Sequence, residues 1–517
     1  MKVIWALARN TMAQALRMKV AALLIVLFLI VAAFLPFTLK ADDTQHGEIK
    51  VLMTYNLTIG MGFLTVLTIL LSASVLDREI VDKHIFLVCT KPVHRWQVLV
   101  GKWLGILMLD GVLLMLLGVI TLALVYYWAR PDPQRPDDYI ILKQQVLTSR
   151  RSIRPPEFSR QELLEQYRAQ LREEGRSPEE IEKHSQLAGI ERYIKRNQVR
   201  VAPGDSWAFR LANVPIPEHR QSDEELVGSN SESASSSEME GNTGGSTAPI
   251  RYTVRYRIEA ADGTRQPLHS LWLLMRPATN PKERLRYMTQ TKTRSGEARE
   301  FQIPAELVSE EGELVVQFTN MTIPVPNGPP EFRRGHPVYF NMEKGLEVLA
   351  PVGSFAGNFA RGLLLLFVRL AFLAAIGVAA TSLVHFPTAF LILIAVITAG
   401  YTRQFFLETA SVERLRAEMD AERAASPRTS EETREKLAPG GTEAFVQRVY
   451  YPFVASAMRL APSFPATDPV PDLRVGREIR WTQILWQTCE DLMLRGGLVF
   501  ALGLVFLYRR ELARPYL

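Results

Sequence analysis

The feature that most constrains the fold is a long apolar run close to the start of the chain. Residues 20 to 39, VAALLIVLFLIVAAFLPFTL, contain no charged side chain, and about 20 such residues are what a helix needs to cross a bilayer. The run exceeds the core of roughly 7 to 15 apolar residues found in a signal peptide, and it follows a basic head. We therefore interpret it as an uncleaved membrane anchor.

Five later segments have the same character, which predicts six transmembrane helices in an all-α polytopic membrane domain. The six lie at 20 to 39, 51 to 76, 103 to 127, 360 to 383, 387 to 404 and 490 to 508. The fourth and fifth are expected to form a tight hairpin, because Pro387 suits the first turn of a new helix. In the sixth, Glu490, Asp491 and Arg495 crowd the start, which places its first turns at the membrane interface.

The basic residues predict an orientation. Lys and Arg are concentrated in the head, in a loop at 77 to 102 and in the tail after the sixth span, and the positive-inside rule assigns such segments to the cytoplasm. We therefore expect a multi-pass protein of the inner (plasma) membrane with both termini cytoplasmic. Residues 1 to 19 read as an amphipathic interfacial helix, with a solvated head as the alternative, and 405 to 489 as an outer segment.

The segment at 129 to 359 is long enough for its own core and predicts an extracytoplasmic α+β insertion. Residues 161 to 196 have the pattern of a surface helix, whereas 222 to 247 are so rich in Ser, Glu and Gly that we expect disorder. The pattern then alternates, and several short strands with turns between them predict a small β-sandwich. The alternating apolar positions of the first strand are Tyr252, Val254, Tyr256 and Ile258. A structural or docking module is favoured over a ligand site.

The sequence lacks the motifs that several classes of chemistry require. Net charge is +6, but the basic residues lie beside the apolar runs and form no soluble patch, which argues against nucleic acid as a partner. Two cysteines, Cys89 and Cys489, are too few for a disulfide scaffold or a cysteine-based metal site. The pair Gly101-Lys102 is followed by Trp103, so no phosphate loop is present. We expect neither an enzyme nor a bound cofactor.

Two charged residues fall inside predicted spans, where a charge is costly unless it is paired or hydrated. We take Trp103 and Leu383 to mark the inner boundary of the membrane. Asp110 then lies about 11 Å above this boundary and Arg369 about 21 Å above it. The mismatch argues against a direct pair. Either residue could stabilise helix packing or line a polar pathway.

The second predicted span carries a stripe of small and hydroxylated residues at helical spacing. Its members are Thr54, Thr58, Gly62, Thr65, Thr68 and Ser72. Such residues let helices approach closely, as do Gly101 and Gly105 at the start of the third span. Packing is the default interpretation, and a substrate-facing wall is the alternative.

The loop from Asp77 to Lys102, DREIVDKHIFLVCTKPVHRWQVLVGK, resembles the membrane subunits of type 2 ATP-binding-cassette transporters. In that family an acidic residue opens a short cytoplasmic helix, a Pro with a nearby Arg breaks it, and a Lys begins the third span. The positions that match, together with the Lys before the Pro, are Glu79, Lys91, Pro92, Arg95 and Lys102. The small Gly usual a few residues after the acid is replaced by Lys83. The resemblance covers about half the chain, leaves the insertion outside, and within the group is strongest to the permeases of multi-copper-enzyme maturation.

The resemblance implies a permease subunit of an ATP-driven exporter, in contact with membrane lipid. A separate cytoplasmic ATPase subunit would bind ATP and Mg²⁺, and two permease chains, identical or different, would pair. The residues that match the family motif would couple the permease to the ATPase. The alternative is an anchored receptor or scaffold that transports nothing and whose outer β-domain binds a cell-envelope partner.

The predicted orientation is tested by protease added from outside to spheroplasts, in which the outer face of the inner membrane is accessible. We expect cleavage first within 222 to 247, because a disordered tract offers extended backbone, and two protected pieces on gels. Protection of the tract until the membrane is opened would show that the orientation is inverted.

Overall fold

The computed structural model describes most of the helical part of the chain and the strands of the insertion. The described residues are 2–38, 44–81, 93–131, 142, 147–156, 172, 198–216, 251–260, 267–277, 285–321, 323–324, 333–341, 345–425 and 446–509. The predicted disordered tract, nearly all of the predicted helix at 161 to 196, and Lys91 and Pro92 lie outside them. The chain forms two compact units, one from Met1–Ser149 with Gly353–Leu517 and the other from Arg150–Val352. We call these the membrane unit and the β unit.

The membrane unit contains nine helices of six or more residues in the described part of the chain. They are α1 Lys2–Arg17, α2 Lys19–Thr38, α3 Gln45–Val81, α4 Arg95–Trp128, α5 Phe355–Leu383, α6 Phe386–Ala425, α7 Tyr451–Leu460, α8 Val470–Val475 and α9 Trp481–Arg509. Residues 488 to 496 of α9 are wound as a π-helix. The predicted hairpin is confirmed, since only Val384 and His385 separate α5 from α6.

Five described helices are long and apolar enough to cross a bilayer, namely α3, α4, α5, α9 and the part of α6 up to Leu407. These are five of the six predicted spans, and they make the chain a membrane protein by length and composition. The predicted first span corresponds to α2. The axes of α1 and α2 meet at an angle of 78°, and the two helices are long and apolar enough to cross a bilayer only when they are taken together as one broken span. The count of six therefore stays a prediction.

Two boundaries differ from those predicted, because charged residues continue a helix that packing stabilises. Both ends of the segment at 77 to 102 are helical, since α3 continues to Val81 and α4 begins at Arg95. The last helix begins at Trp481, ahead of the predicted start at 490. Glu490, Asp491 and Arg495 therefore lie well inside it.

Glycines bring α1 close to the start of α4. A Cβ added at Gly101 would lie 2.6 Å from Cβ of Leu7, and one added at Gly105 would lie 2.6 Å from the backbone oxygen of Ala8. No side chain fits at such distances, so the close approach that the glycine spacing predicted is confirmed, with α1 as the partner.

A short segment between α7 and α9 packs against the N-terminal end of α5. The side chain of Asn358 donates to the backbone oxygen of Arg477 at 2.7 Å and accepts from the backbone N–H of Ile479 at 2.8 Å. Arg361 donates to the Ile479 oxygen at 2.8 Å. These bonds satisfy buried backbone groups that would otherwise have no partner.

The β unit contains strands from which two larger sheets are built. The described strands are β1 Thr148–Ile153, β2 Gln198–Val201, β3 Ser206–Leu211, β4 Arg251–Ala260, β5 Leu268–Met275, β6 Arg286–Thr293, β7 Ala298–Pro304, β8 Leu314–Asn320, β9 Ile323–Pro324, β10 Arg333–Arg334, β11 Val338–Asn341 and β12 Leu346–Ser354. The first sheet follows the order β1-β12-β4-β11-β2, with β7 on the other side of β4, and the second follows β3-β8-β5-β6.

The two sheets share one core, which confirms the predicted sandwich. Trp272 of the second sheet is fully buried, with its ring centroid 4.6 Å from that of Tyr256 and 6.1 Å from that of Phe340, both on the first sheet. The four alternating residues of β4 that the sequence indicated, from Tyr252 to Ile258, are all at most 1% exposed. Their burial supplies the apolar area that holds the unit together.

Valine at Gly105 is expected to destabilise the membrane unit by about 1–3 kcal/mol, because the new side chain must push the α1 backbone away. The matched control is Gly62→Val, since nothing lies within 4 Å of a Cβ at Gly62. Thermal unfolding of the purified chain in detergent measures both. Equal loss in the two variants would contradict the packing assigned to Gly105.

Candidate functional site

Helices α3 and α4 run antiparallel and are joined by four polar contacts along their length. The contacts are Gln45 to the backbone oxygens of Trp128 and Arg130, Asn56 to Thr121, Thr68 to Asp110, and Glu79 to Lys102. The four residues on α3 are separated by 11, 12 and 11 positions, about three helical turns each, so they lie on one face. We call this set the polar ladder.

The last contact of the ladder is a buried ion pair. Lys102 Nζ lies 2.7 Å from Glu79 Oε2, and their side chains are only 3% and 12% exposed. Gln14 of α1 donates to Glu79 Oε1 at 3.3 Å. Two residues that the resemblance assigned to ATPase coupling thus bind each other and connect three helices, while their contact with an ATPase stays a prediction.

Arg95, another of the coupling residues, is bound to the end of the last helix. It donates to the backbone oxygens of Leu507 at 2.6 Å and Tyr508 at 3.0 Å, where the final carbonyls of a helix lack intrahelical partners. In the connection between α5 and α6, His385 Nδ1 lies 3.2 Å from Asp77 Oδ1 of α3. The residues that flank the undescribed segment 82 to 92 are therefore attached to α5, α6 and α9.

The predicted stripe on α3 is divided by the fold. Thr68 and Ser72 are buried, Thr65 is half-buried, and Thr58 and Gly62 are exposed. A Cβ added at Gly377 of α5 would lie 2.0 Å from Ser72 Oγ, so the buried part is a packing surface, as the default interpretation held. The exposed part faces away from the bundle.

Asp110 is fully buried at the centre of the ladder. Its Oδ2 lies 2.8 Å from Thr68 Oγ1, and within the described residues its Oδ1 has no hydrogen-bond partner. A carboxyl in this position is held by helix packing, with no access from solvent in this conformation.

Arg369 belongs to a separate cluster on the other side of α5. Its guanidinium donates to the hydroxyl of Tyr401 and lies 4.4 Å from the ring centroid of Phe464, an attractive cation–π distance. Burial raises the pKa of the nearby Asp468 carboxyl, while the Val470 N–H and the charge of Arg369 act in the opposite direction. The cluster ties α5 and α6 to the segment before α8.

The predicted mismatch in depth between Asp110 and Arg369 is wrong. The indole of Trp103 donates to Ala371 at 3.0 Å, and a Cβ at Gly111 would lie 3.3 Å from the Phe367 ring, so Asp110 is level with residue 368. The estimate failed because Trp103 and Leu383 do not lie at the same height. The two side chains nevertheless do not pair with each other, because Asp110 faces α3 and Arg369 faces α6.

The sequence interpretation missed a third charged group at the same level. Arg495 pairs with Glu490 at 2.6 Å and with Asp491, and Arg495 lies 14 residues from each end of α9. A Cβ at Gly496 would lie 3.4 Å from Phe372, which sets the height. We call Glu490, Asp491 and Arg495 the α9 ion cluster. The sequence feature that indicates this group is the charge triplet itself. An apolar run that begins at 490 predicts an interfacial position for it, whereas the helix begins nine residues earlier.

These groups place ionisable side chains from α4, α5 and α9 halfway along the bundle. Groups of three or more His, Cys, Asp or Glu side chains that could hold a metal ion are absent from the described residues. Comparison of the chain with protein-family models, with curated proteins and with solved structures finds no match. The arrangement supports polar contacts and ion pairing along the membrane helices.

Neutralising one member of the Glu79–Lys102 pair is expected to destabilise the membrane unit by about 3–5 kcal/mol, because it leaves a buried charge without its partner. Lys102→Met and Glu79→Gln are the variants, and thermal unfolding is the measurement. The exchange E79K/K102E should recover most of the loss. An exchange as unstable as the single variants would show that the pair is not the source of the effect.

Proposed function

We propose that the chain is the membrane-spanning permease subunit of an ATP-driven transporter, energised by a separate ATPase subunit. The observation that carries the proposal is the α9 ion cluster. Glu490 is 37% exposed and Arg495 is 20% exposed, at the midpoint of a helix long enough to cross the bilayer. A charge at that depth costs about 2.5–3.5 kcal/mol or more when it faces hydrocarbon.

A helix that only anchors a receptor gains nothing from such a cluster. Ionisable residues within membrane helices ordinarily face a bundle interior or a water-filled cavity. The apolar side chains Leu498 and Leu502 on the next turns are 61% and 49% exposed, which suits lipid or a second permease chain. We infer that the α9 ion cluster borders a polar pathway, completed by the second permease chain that the resemblance implies.

The attachment of the connection at 82 to 94 supports coupling to an ATPase. Its flanks are bound through Glu79 to Gln14 of α1 and to Lys102 of α4, and through Arg95 to α9. A force on these flanks would therefore be transmitted to α1 and α9 through side-chain contacts. Outward transport and the plasma membrane as the location follow from the resemblance and the distribution of basic residues.

The cargo best suited to these residues is amphipathic. A pathway with separated charges at one level and a long apolar surface accommodates a molecule with a polar group and an apolar tail more readily than a uniformly polar one. The β unit, a compact sandwich, would receive cargo or hold an acceptor protein.

Purification of the intact complex in mild detergent is expected to recover an ATPase with a phosphate loop. Depletion of the protein is expected to change the lipids or glycans of the envelope. Repeated recovery without an ATPase, together with an unchanged envelope and a specific partner of the β unit, would favour the anchored receptor.

Neutralising the α9 ion cluster separates the pathway from assembly. The triple variant E490Q/D491N/R495M should retain the ATPase on purification but fail to restore the envelope of depleted cells, because the polar lining is lost. Leu498→Met is the matched control on the same helix and should restore it fully. Full restoration by the triple variant would rule out a pathway at this cluster.

A further inference from the structure

The hydrogen bonds around Thr68 do not balance unless Asp110 carries a proton. Thr68 Oγ1 lies 2.8 Å from the backbone oxygen of Leu64 and 2.8 Å from Asp110 Oδ2. A threonine hydroxyl has one hydrogen to donate, whereas a carbonyl oxygen and an ionised carboxylate both only accept. If Asp110 were ionised, one of these two contacts would bring two oxygens together with no hydrogen between them.

A protonated carboxyl resolves both contacts. The Asp110 hydroxyl donates to Thr68 Oγ1, and the Thr68 hydroxyl donates to the Leu64 oxygen one turn earlier in α3, as threonines in helices commonly do. The remaining oxygen, Oδ1, is then a neutral carbonyl. Its lack of a partner among the described residues costs far less than burial of an unpaired charge.

The packed helices offer Asp110 no counter-charge. On α5, Arg369 is level with it but donates to Tyr401. Lys102 on α4 is eight residues away, about 12 Å along the helix, and is bound to Glu79 of α3.

Three further helices pack against α4. On α2, the one charged residue, Lys19, is exposed. On α9, Arg495 is paired within the α9 ion cluster. On α1, Arg9 is exposed, and that helix contacts α4 at Gly101 and Gly105, below the level of Asp110.

We propose that Asp110 is a proton-binding site of the membrane unit, occupied in this conformation and closed by its contact with Thr68. Loss of the proton would leave an unpaired charge between α3, α4 and α5, which is stable only if the helices part and admit water. Proton release is therefore coupled to separation of α3 from α4 at this level. The proposal does not depend on the presence of an ATPase or on a cargo.

Infrared difference spectra of the purified chain test the protonation state directly. Wild type minus Asp110→Asn at neutral pH should show the C=O stretch of one protonated carboxyl, and this band should shift in D₂O. A difference that shows the two carboxylate stretches would overturn the proposal.

Two variants of Thr68 test the direction of the hydrogen bond and serve if Asp110→Asn fails to fold. Thr68→Val removes the acceptor and should move the protonated carboxyl band to higher frequency, while Thr68→Ser retains the hydroxyl and should leave it in place. A band that is unmoved by Thr68→Val would show that Asp110 does not donate to Thr68.

The dependence of stability on pH provides a readout besides spectroscopy. The folded state retains a proton that an exposed aspartate releases near pH ~4, so the folded state binds more protons than the unfolded state. Stability then falls as pH rises, by up to about tenfold in the folding equilibrium constant per pH unit. Relative to wild type, Asp110→Asn should lack this component above pH ~4.

Thr121→Val is the control for this measurement, because it breaks the uncharged contact with Asn56 on the same pair of helices. It should lower the unfolding temperature by the same amount at every pH. An identical dependence on pH in wild type and Asp110→Asn would overturn the proposal.

Discussion

The membrane unit depends on the way α3 and α4 satisfy each other's polar groups. Hydrocarbon offers no hydrogen bonds, so every polar side chain at depth must find a partner within the protein or carry a large cost. The polar ladder supplies one such contact about every three turns, from Gln45 at one end of α3 to Glu79 at the other. Because each contact fixes the rotation of both helices, the ladder sets the register against which the other helices pack.

Close packing around the ladder relies on the absence of side chains. A Cβ at Gly60 of α3 would lie 2.7 Å from Leu117 of α4, and one at Gly118 of α4 would lie 2.3 Å from Leu363 of α5. Helices in a bilayer gain little from hydrophobic exclusion, so dispersion contacts and polar contacts at short range supply most of their attraction. The glycines allow the helices to approach closely, and the polar ladder determines which helix faces meet.

Ionisable side chains at the centre of the bundle are held in three different ways. Asp110 is enclosed with a hydroxyl, Arg369 is shared between an aromatic ring and a tyrosine, and Arg495 is neutralised by two acids on its own helix. The three lie at one level but on different faces, so they do not cancel one another. An arrangement of this kind costs stability and is expected where the membrane helices do more than hold a domain in place.

The sequence by itself determined where the apolar helices lie and which residues of β4 are buried, because apolar runs of bilayer length and strict alternation each demand one geometry. It also predicted the α5–α6 hairpin from Pro387 and the close approach at Gly101 and Gly105. Only the tertiary structure decided which groups meet. The pairing of Glu79 with Lys102 joins residues 23 positions apart, and the level of Asp110 depends on helix overhangs that apolar run lengths do not reveal. The physical reason is that periodicity reports a residue's own helix face, whereas a partner is chosen by the rotation and height of a different helix.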